Sequence, residues 1–451
     1  MTRLIIWILW LFALLLISHK LSPNNLLTPS IGFFAGFFVQ AVYAVFYVDD
    51  WSLNFSDMTM WVLFSGTATF FIVSQLTQVF FSKSHFIVQG GPVYRSRTRR
   101  NIANTPKINI ERWKLLVLLA FQLFVIAWTL QCLSKIGGAS LGQNIYRYRM
   151  AMRSGNNVEI VAFPVILRLM RTFCASSSYI FGYILAHGFI YKYRQHRILL
   201  ISNYFLGIIC SLTSGARGTA VTILFATLVQ AYFIHGRATN WKRKLPLKTT
   251  MIAIVIVLVI VFTFQMVGNV IGRNNDNNFN EYLSVYLSAE LKNLDIFVRE
   301  GNFGSDITTC YTIADAVSLA GNVLGIPSWV HKYYNPFRFV NGHSLGNVST
   351  TFYANVHDGG IPAVILFSAI MAFLSQIAYL RCRKVKKQLI DFSILVYPYI
   401  FYTLLFSFFS NKFYELVFHS IFIQTCLCWW ALRFFLTKVN FMSGPLGGSR
   451  K

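Results

Sequence analysis

Met251 to Phe264 reads MIAIVIVLVIVFTF, an uncharged run inside an apolar window of about 20 residues, enough for a helix to cross roughly 30 Å of hydrocarbon. Comparable windows lie near residues 4–18, 27–48, 58–82, 113–131, 161–190, 198–212, 217–235, 249–271, 359–380, 391–410 and 413–436. They predict an all-α polytopic membrane protein of about eleven transmembrane helices, ten to twelve once boundary choices are counted, forming one integral membrane domain over 1–451. Composition agrees: 55% of the residues are hydrophobic and only 12% are charged, too few to clothe a water-soluble surface.

A net charge of +25 would suit a nucleic-acid partner, but the positions of the basic residues exclude one. They fall in alternate loops. Lys83, Arg95, Arg97, Arg99, Arg100, Lys107 and Arg112 fill the loop at 83–112, and further basic clusters occupy 191–197, 236–248 and 381–387. Most carboxylates fall in the other loops, at 132–160 and 272–358. The positive-inside rule then assigns 83–112 to the cytoplasm and the loops at 132–160 and 272–358 to the periplasmic side of an inner membrane. The first window lacks a small-residue cleavage pattern and reads as an uncleaved helix.

Seven cysteines form no CxxC pair and no zinc spacing; only Cys132 and Cys310 fall at the outer face, where one disulfide could join them. No cofactor or metal set is visible.

Three segments could carry chemistry. SLTSGARGTAVT at 211–222 is a polar turn between hydrophobic helices. Gly215 and Gly218 allow a close turn, and Arg217 sets a cation near a helix N-terminus, where a phosphate can be held by a planar guanidinium and backbone N–H groups. A snorkelling interfacial arginine is the structural alternative. YRYRMAMRSG at 146–155 adds Arg147, Arg149 and Arg153, followed by Arg168 and Arg171 on one face of the next helix. An arginine inside a membrane segment costs at least about 2.5 kcal/mol at the helix centre, so it faces a cavity or a partner. Few acids are available there, which leaves a bound anion or backbone carbonyls. The loop at 272–358 starts with Arg273 and ends in HKYYNPFRFVNGHSLGNVSTTFYANVHDGG, rich in the donors, acceptors and rings that suit sugars. Loops of this length are usually functional.

The SGARG turn followed by a long loop ending GNVSTTFYANVHDGGIPAVI resembles the Wzy-type polymerases of O-antigen and related oligosaccharide repeat units. Ser214, Gly215, Arg217 and Gly218 match one motif, and Gly346, Asn347, Val348, Thr350, Tyr353, Asp358 and Gly360 the other. The likeness covers the topology of the whole chain but only these two stretches of sequence. His357, beside the acid, departs from the family pattern.

The resemblance implies a metal-independent membrane glycosyltransferase of GT-C-like architecture. It would join glycans carried on undecaprenyl pyrophosphate, with a chain-length regulator and a flippase as partners. Arg217, His343 and Asp358 are then the catalytic candidates. Arg147, Arg149, Arg153, Arg168, Arg171, Arg273, Asn347 and Tyr353 are the substrate-binding ones. Arginines would stabilise the departing pyrophosphate, and His343 or Asp358 would serve as the base. A loop hydrogen bond for His343 and a helix cap for Asp358 are the structural alternatives. An O-antigen ligase shares this architecture and donor; a flippase would show polar helices around a central path.

Overall fold

The computed structural model describes residues 1–22, 25–83, 108–154, 162–215, 217–243, 245–246, 250–251, 255, 266, 279–301, 303–304, 310–331, 333, 335–384 and 389–438. In chain order the helices are α1 (Thr2–Leu21), α2 (Pro29–Ala44), α3 (Asp57–Lys83), α4 (Arg112–Ser134), α5 (Leu141–Ser154), α6 (Val165–Ile190), α7 (Arg197–Leu212) and α8 (Arg217–Ala238). They continue with α9 (Phe279–Leu287), α10 (Ala289–Glu300), α11 (Ala314–Leu324), α12 (Thr351–His357), α13 (Gly360–Arg383), α14 (Ser393–Leu405), α15 (Lys412–Val417) and α16 (Ser420–Lys438). An antiparallel hairpin, β1 (Arg338–Val340) and β2 (His343–Gly346), precedes α12.

Eight of the described helices are long and apolar enough to cross a membrane: α1, α2 with its 3-10 extension, α3, α4, α6, α8, α13 and α16. The chain therefore has the make-up of a multi-pass membrane protein. Two of the eleven expected spans differ from expectation: α14 is only 13 residues long where 391–410 was expected, and the span expected at 413–436 is broken into α15 and α16. α7 keeps its expected bounds and, at 16 residues, is shorter than the eight. The window at 249–271 lies almost wholly outside the described residues, as does most of the loop at 83–112.

Local chemistry sets the helix ends. Thr28 caps α2 by accepting the Ile31 N–H at 3.3 Å, and Pro29, which has no N–H to satisfy, takes the first position. α2 then approaches α14 so closely that a Cβ on Gly36 would collide with the Leu405 carbonyl.

Packing gathers into two large apolar clusters. One joins α1, α2, α3, α10, α12 and α13 around Trp7, Phe33, Phe37, Phe70 and Phe352. The other joins α4, α6, α7, α8 and α16 around Tyr179, Phe233 and Trp429. α14 contributes to both.

Among its described residues, more than half of the region read as a long loop is helical. α10 is sunk into the fold, with Glu290 and Asp295 fully buried. Asp295 accepts the Ser56 N–H at 2.8 Å and the Thr59 hydroxyl at 2.7 Å, fastening α10 to the start of α3.

Candidate functional site

A cavity of about 1020 Å³ opens where the two packing clusters meet. α5, α6, α7 and α8 wall it on one flank; α9, the segment 347–354, α14 and α15 wall it on the other.

The arginine wall starts with the 132–160 segment, where the sequence suggested a loop and the structure has α5. Ser140 Oγ accepts the Gln143 N–H at 3.3 Å and helps start that helix. Arg149 then reaches back across the fold and donates to the Gly215 carbonyl. Gly215 adopts φ +71°, left-handed backbone that disfavours a Cβ, and the vacated space is where Arg149 and Ile145 pack. Gly218 has no such constraint: it sits inside α8 and a Cβ there would meet nothing within 4 Å. It lines the cavity. Arg217, the first residue of α8, is buried and lines the cavity.

α6 starts after Pro164, later than expected, so Arg168 and Arg171 lie only about 5 and 9 Å along it at 1.5 Å per residue. Arg168 is exposed and Arg171 is buried, and both line the cavity. Arg171 donates to Thr129 Oγ1 at 2.9 Å, Thr213 Oγ1 at 2.8 Å and the Cys210 carbonyl at 3.0 Å. Its guanidinium also lies 5.0 Å from the Phe163 ring, which stacks on Tyr148 at 4.1 Å. Every one of these partners is electrically neutral.

On the other flank, Asn293 of α10 donates to the carbonyls of Leu345 and Val348 at 3.1 and 2.7 Å, clamping the turn at Gly346. Gly346 has φ +68°, and a Cβ there would come within 2.8 Å of Val285. Asn347, Ser349, Thr350 and Tyr353 thereby line the cavity. Behind them, burial pushes the Glu290 carboxyl well above the usual carboxylate range, against the pull of its backbone hydrogen bond and of Gln40, which donates to it at 3.1 Å. That favours the neutral acid.

After α14 the chain turns through 406–411, whose backbone finds partners within the protein. The Ser407 carbonyl accepts the Thr351 N–H at 2.8 Å, and the Phe408 carbonyl accepts Gln40 at 3.0 Å. Non-helical backbone at membrane depth is tolerated when buried or lining a cavity, and Phe406, Phe409, Ser410 and Asn411 do line it. α15 and the start of α16 add Lys412, Glu415 and His419. Sequence reading missed these three because Glu415 and His419 sit in an aromatic run taken as the helix 413–436 and Lys412 in the short connection just before it. Asp315 of α11 belongs to the same electrostatic group. Burial raises its carboxyl, His419 and Lys412 lower it, and Glu415 raises it further.

The remaining candidates go elsewhere. His343 is exposed on β2 and does not line the cavity, which removes it as a base there. Asp358 also lies outside the lining. Its carboxylate accepts the Tyr311 and Thr312 N–H groups, each at 2.7 Å, the Cys310 thiol at 3.1 Å, and pairs with His357 at 3.0 Å. Burial opposes its ionisation, but the bonds from His357, Thr312 and Tyr311 outweigh that and hold it below the usual range. It therefore latches the segment entering α11; it does not cap α13. Cys310 is engaged with Asp358, and both it and Cys132 are free thiols rather than a disulfide. Arg147 is exposed and donates to the Gly137 carbonyl at 2.9 Å, away from the lining. The Arg153 side chain and Arg273 lie outside the described residues. Among the described residues no three His, Cys, Asp or Glu side chains are placed to hold a metal ion.

No family model matches this chain, and no curated protein or solved structure is significantly similar to it.

Proposed function

We propose that this protein is a glycosyltransferase of GT-C-like architecture that polymerises oligosaccharide units carried on undecaprenyl pyrophosphate, at the periplasmic face of a bacterial inner membrane. One observation carries the reading: Arg149, Arg168, Arg171 and Arg217 share the wall of one large cavity. Ile421, at the start of α16, lines the cavity and is half exposed, so an apolar, partly exposed side chain stands at the cavity margin. A donor with an anionic head and a polyprenyl tail fits that arrangement, with head at the arginines and tail in the bilayer.

The chemistry follows from charge. As an acceptor hydroxyl attacks the anomeric carbon, the bond to the lipid pyrophosphate breaks and its electron pair leaves on oxygen. Guanidinium groups already in place stabilise that growing charge; losing one well-placed donor of this kind costs about 2.7 to 4 kcal/mol. The residues beneath the arginines favour an enzyme over a flippase. Tyr179 packs against Trp429 and Tyr399 at ring-centroid distances of 5.3 and 6.0 Å, in a buried aromatic plug and not in a polar path.

The test is a deletion strain whose lipopolysaccharide is resolved on a gel. Core carrying a single repeat unit supports the polymerase; bare core with accumulated lipid-linked polymer identifies a ligase instead. Orientation is tested by a reporter active only outside the cytoplasm, expected to work when fused near Asn302 and to fail near Lys107 or Lys386.

A further inference from the structure

The α15 wall carries charges that binding of a pyrophosphate does not use. Lys412 Nζ and Ser410 Oγ both donate to Glu415 Oε2, at 2.6 and 3.1 Å. Among the described residues Glu415 Oε1 has no hydrogen-bond partner, and the side chain, 36% exposed, lines the cavity. His419 is committed differently: its Nδ1 accepts the Ile421 N–H at 3.0 Å, so the neutral ring carries its proton on Nε2 and is a donor. Glu415 is thus the group on this wall with an open acceptor position.

Groups suited to a sugar surround it. Tyr311 and Tyr333 stack at 4.6 Å, and the Tyr311 hydroxyl donates to Asn335 at 2.8 Å; all three residues line the cavity. Thr350 Oγ1, also on the lining, is buried with no hydrogen-bond partner. An unsatisfied hydroxyl on the lining of a cavity that also carries a carboxylate and ring faces is a position that a bound saccharide hydroxyl would complete.

We propose that this wall is the acceptor-saccharide subsite and that Glu415 is the base of the glycosyl transfer, an inference that rests on the lipid-pyrophosphate reading above. Glu415 Oε1 takes the proton of the acceptor hydroxyl while that oxygen bonds to the anomeric carbon of the donor. The bond from that carbon to the pyrophosphate oxygen breaks, and its electron pair departs with the lipid pyrophosphate. Protonated Glu415 then returns its proton to water. Lys412 and Ser410 hold Oε2, which fixes the direction of Oε1, and His419 donates to the acceptor from Nε2.

The experiment compares wild type and Glu415→Gln in lipid nanodiscs, using a polyprenyl-pyrophosphate-linked oligosaccharide as both donor and acceptor. Donor affinity and single-turnover rate are measured separately. The rate falls about 100- to 10,000-fold in the variant while donor affinity stays within about threefold, the split expected of a base acting in the transition state. Formate restores turnover to Glu415→Ala. Wild-type turnover by Glu415→Gln overturns the assignment and leaves the arginine reading standing. Loss of donor affinity together with turnover, without formate rescue, also overturns it by making Glu415 structural. A wild type that neither binds nor turns over the lipid-linked donor overturns both readings.

Discussion

On the wall built by α5, α6 and α8, Arg171 is held by two hydroxyls, a carbonyl and an aromatic ring, whereas on the α15 wall Lys412 and Glu415 hold each other. Neutral partners fix a guanidinium without cancelling its charge, which stays available to an anion. An ion pair cancels its own field and keeps only the direction of its atoms. One wall is therefore suited to binding charge and the other to orienting a proton transfer.

The strongest way to break this contrast is at Arg217. Arg217→Ala lowers single-turnover rate by about 100- to 1000-fold, the loss seen when one transition-state donor is removed. Arg217→Lys stays low, because an ammonium cannot present a planar fork to two phosphate oxygens. Normal chain ladders from stably expressed Arg217→Ala would remove the arginine from the site.

Arg171 sharpens the contrast through stability. Hydrogen bonds to charged groups contribute about 1.5 to 3 kcal/mol each, so Arg171→Met, which removes three, lowers unfolding free energy by about 3 kcal/mol or more. Thermal unfolding in detergent reads this, and an unchanged Tm would show that the bonds do not hold the wall.

Asp358 tests a structural acid against the functional one. Its folded pKa lies below the usual value, so its contribution is full above the unfolded pKa of about 3.9 and is lost as pH falls through the folded value. Asp358→Asn turns an NH2 toward donors now bound to a carboxylate oxygen, costing about 1 to 3 kcal/mol, and flattens the acid limb of a Tm-against-pH curve. An unaltered acid limb would refute the latch.

The smallest effect belongs to His343. His343→Ala keeps a near-wild-type rate and changes stability by no more than about 0.5 kcal/mol, as exposed substitutions do. A dead but folded variant in the polymerisation assay would return the base to the hairpin.

The contrast also shows what a sequence can carry. Spans such as α4 and α13 are legible because hydrophobic length is a local property. Arg168 and Arg171 are legible because an arginine at depth must be compensated. The same reasoning could have found Glu415, a charge inside the window 413–436, and with it Lys412 just before that window, had 413–436 not been read as a continuous helix. The end of α14 was not legible, because its 406–411 backbone is satisfied by Thr351 and Gln40, residues 56 and 368 positions distant from their partners. That His343 lies outside the cavity lining was not legible for the opposite reason: a polar loop announces its composition but not which side chains turn inward.

The break between α14 and α16 also imposes an order on synthesis. Gln40 enters the membrane with α2, but the Phe408 carbonyl that receives its amide is made only near the end of the chain. The same is true of Thr312, whose carbonyl waits for Asn411. The arginine wall is translated long before the segment that faces it, so the cavity is the last part of the molecule to assemble. A nascent chain arrested short of residue 408 leaves Gln40 with Glu290 alone and the Thr312 carbonyl without Asn411, unmatched polarity by which quality control can recognise an unfinished protein.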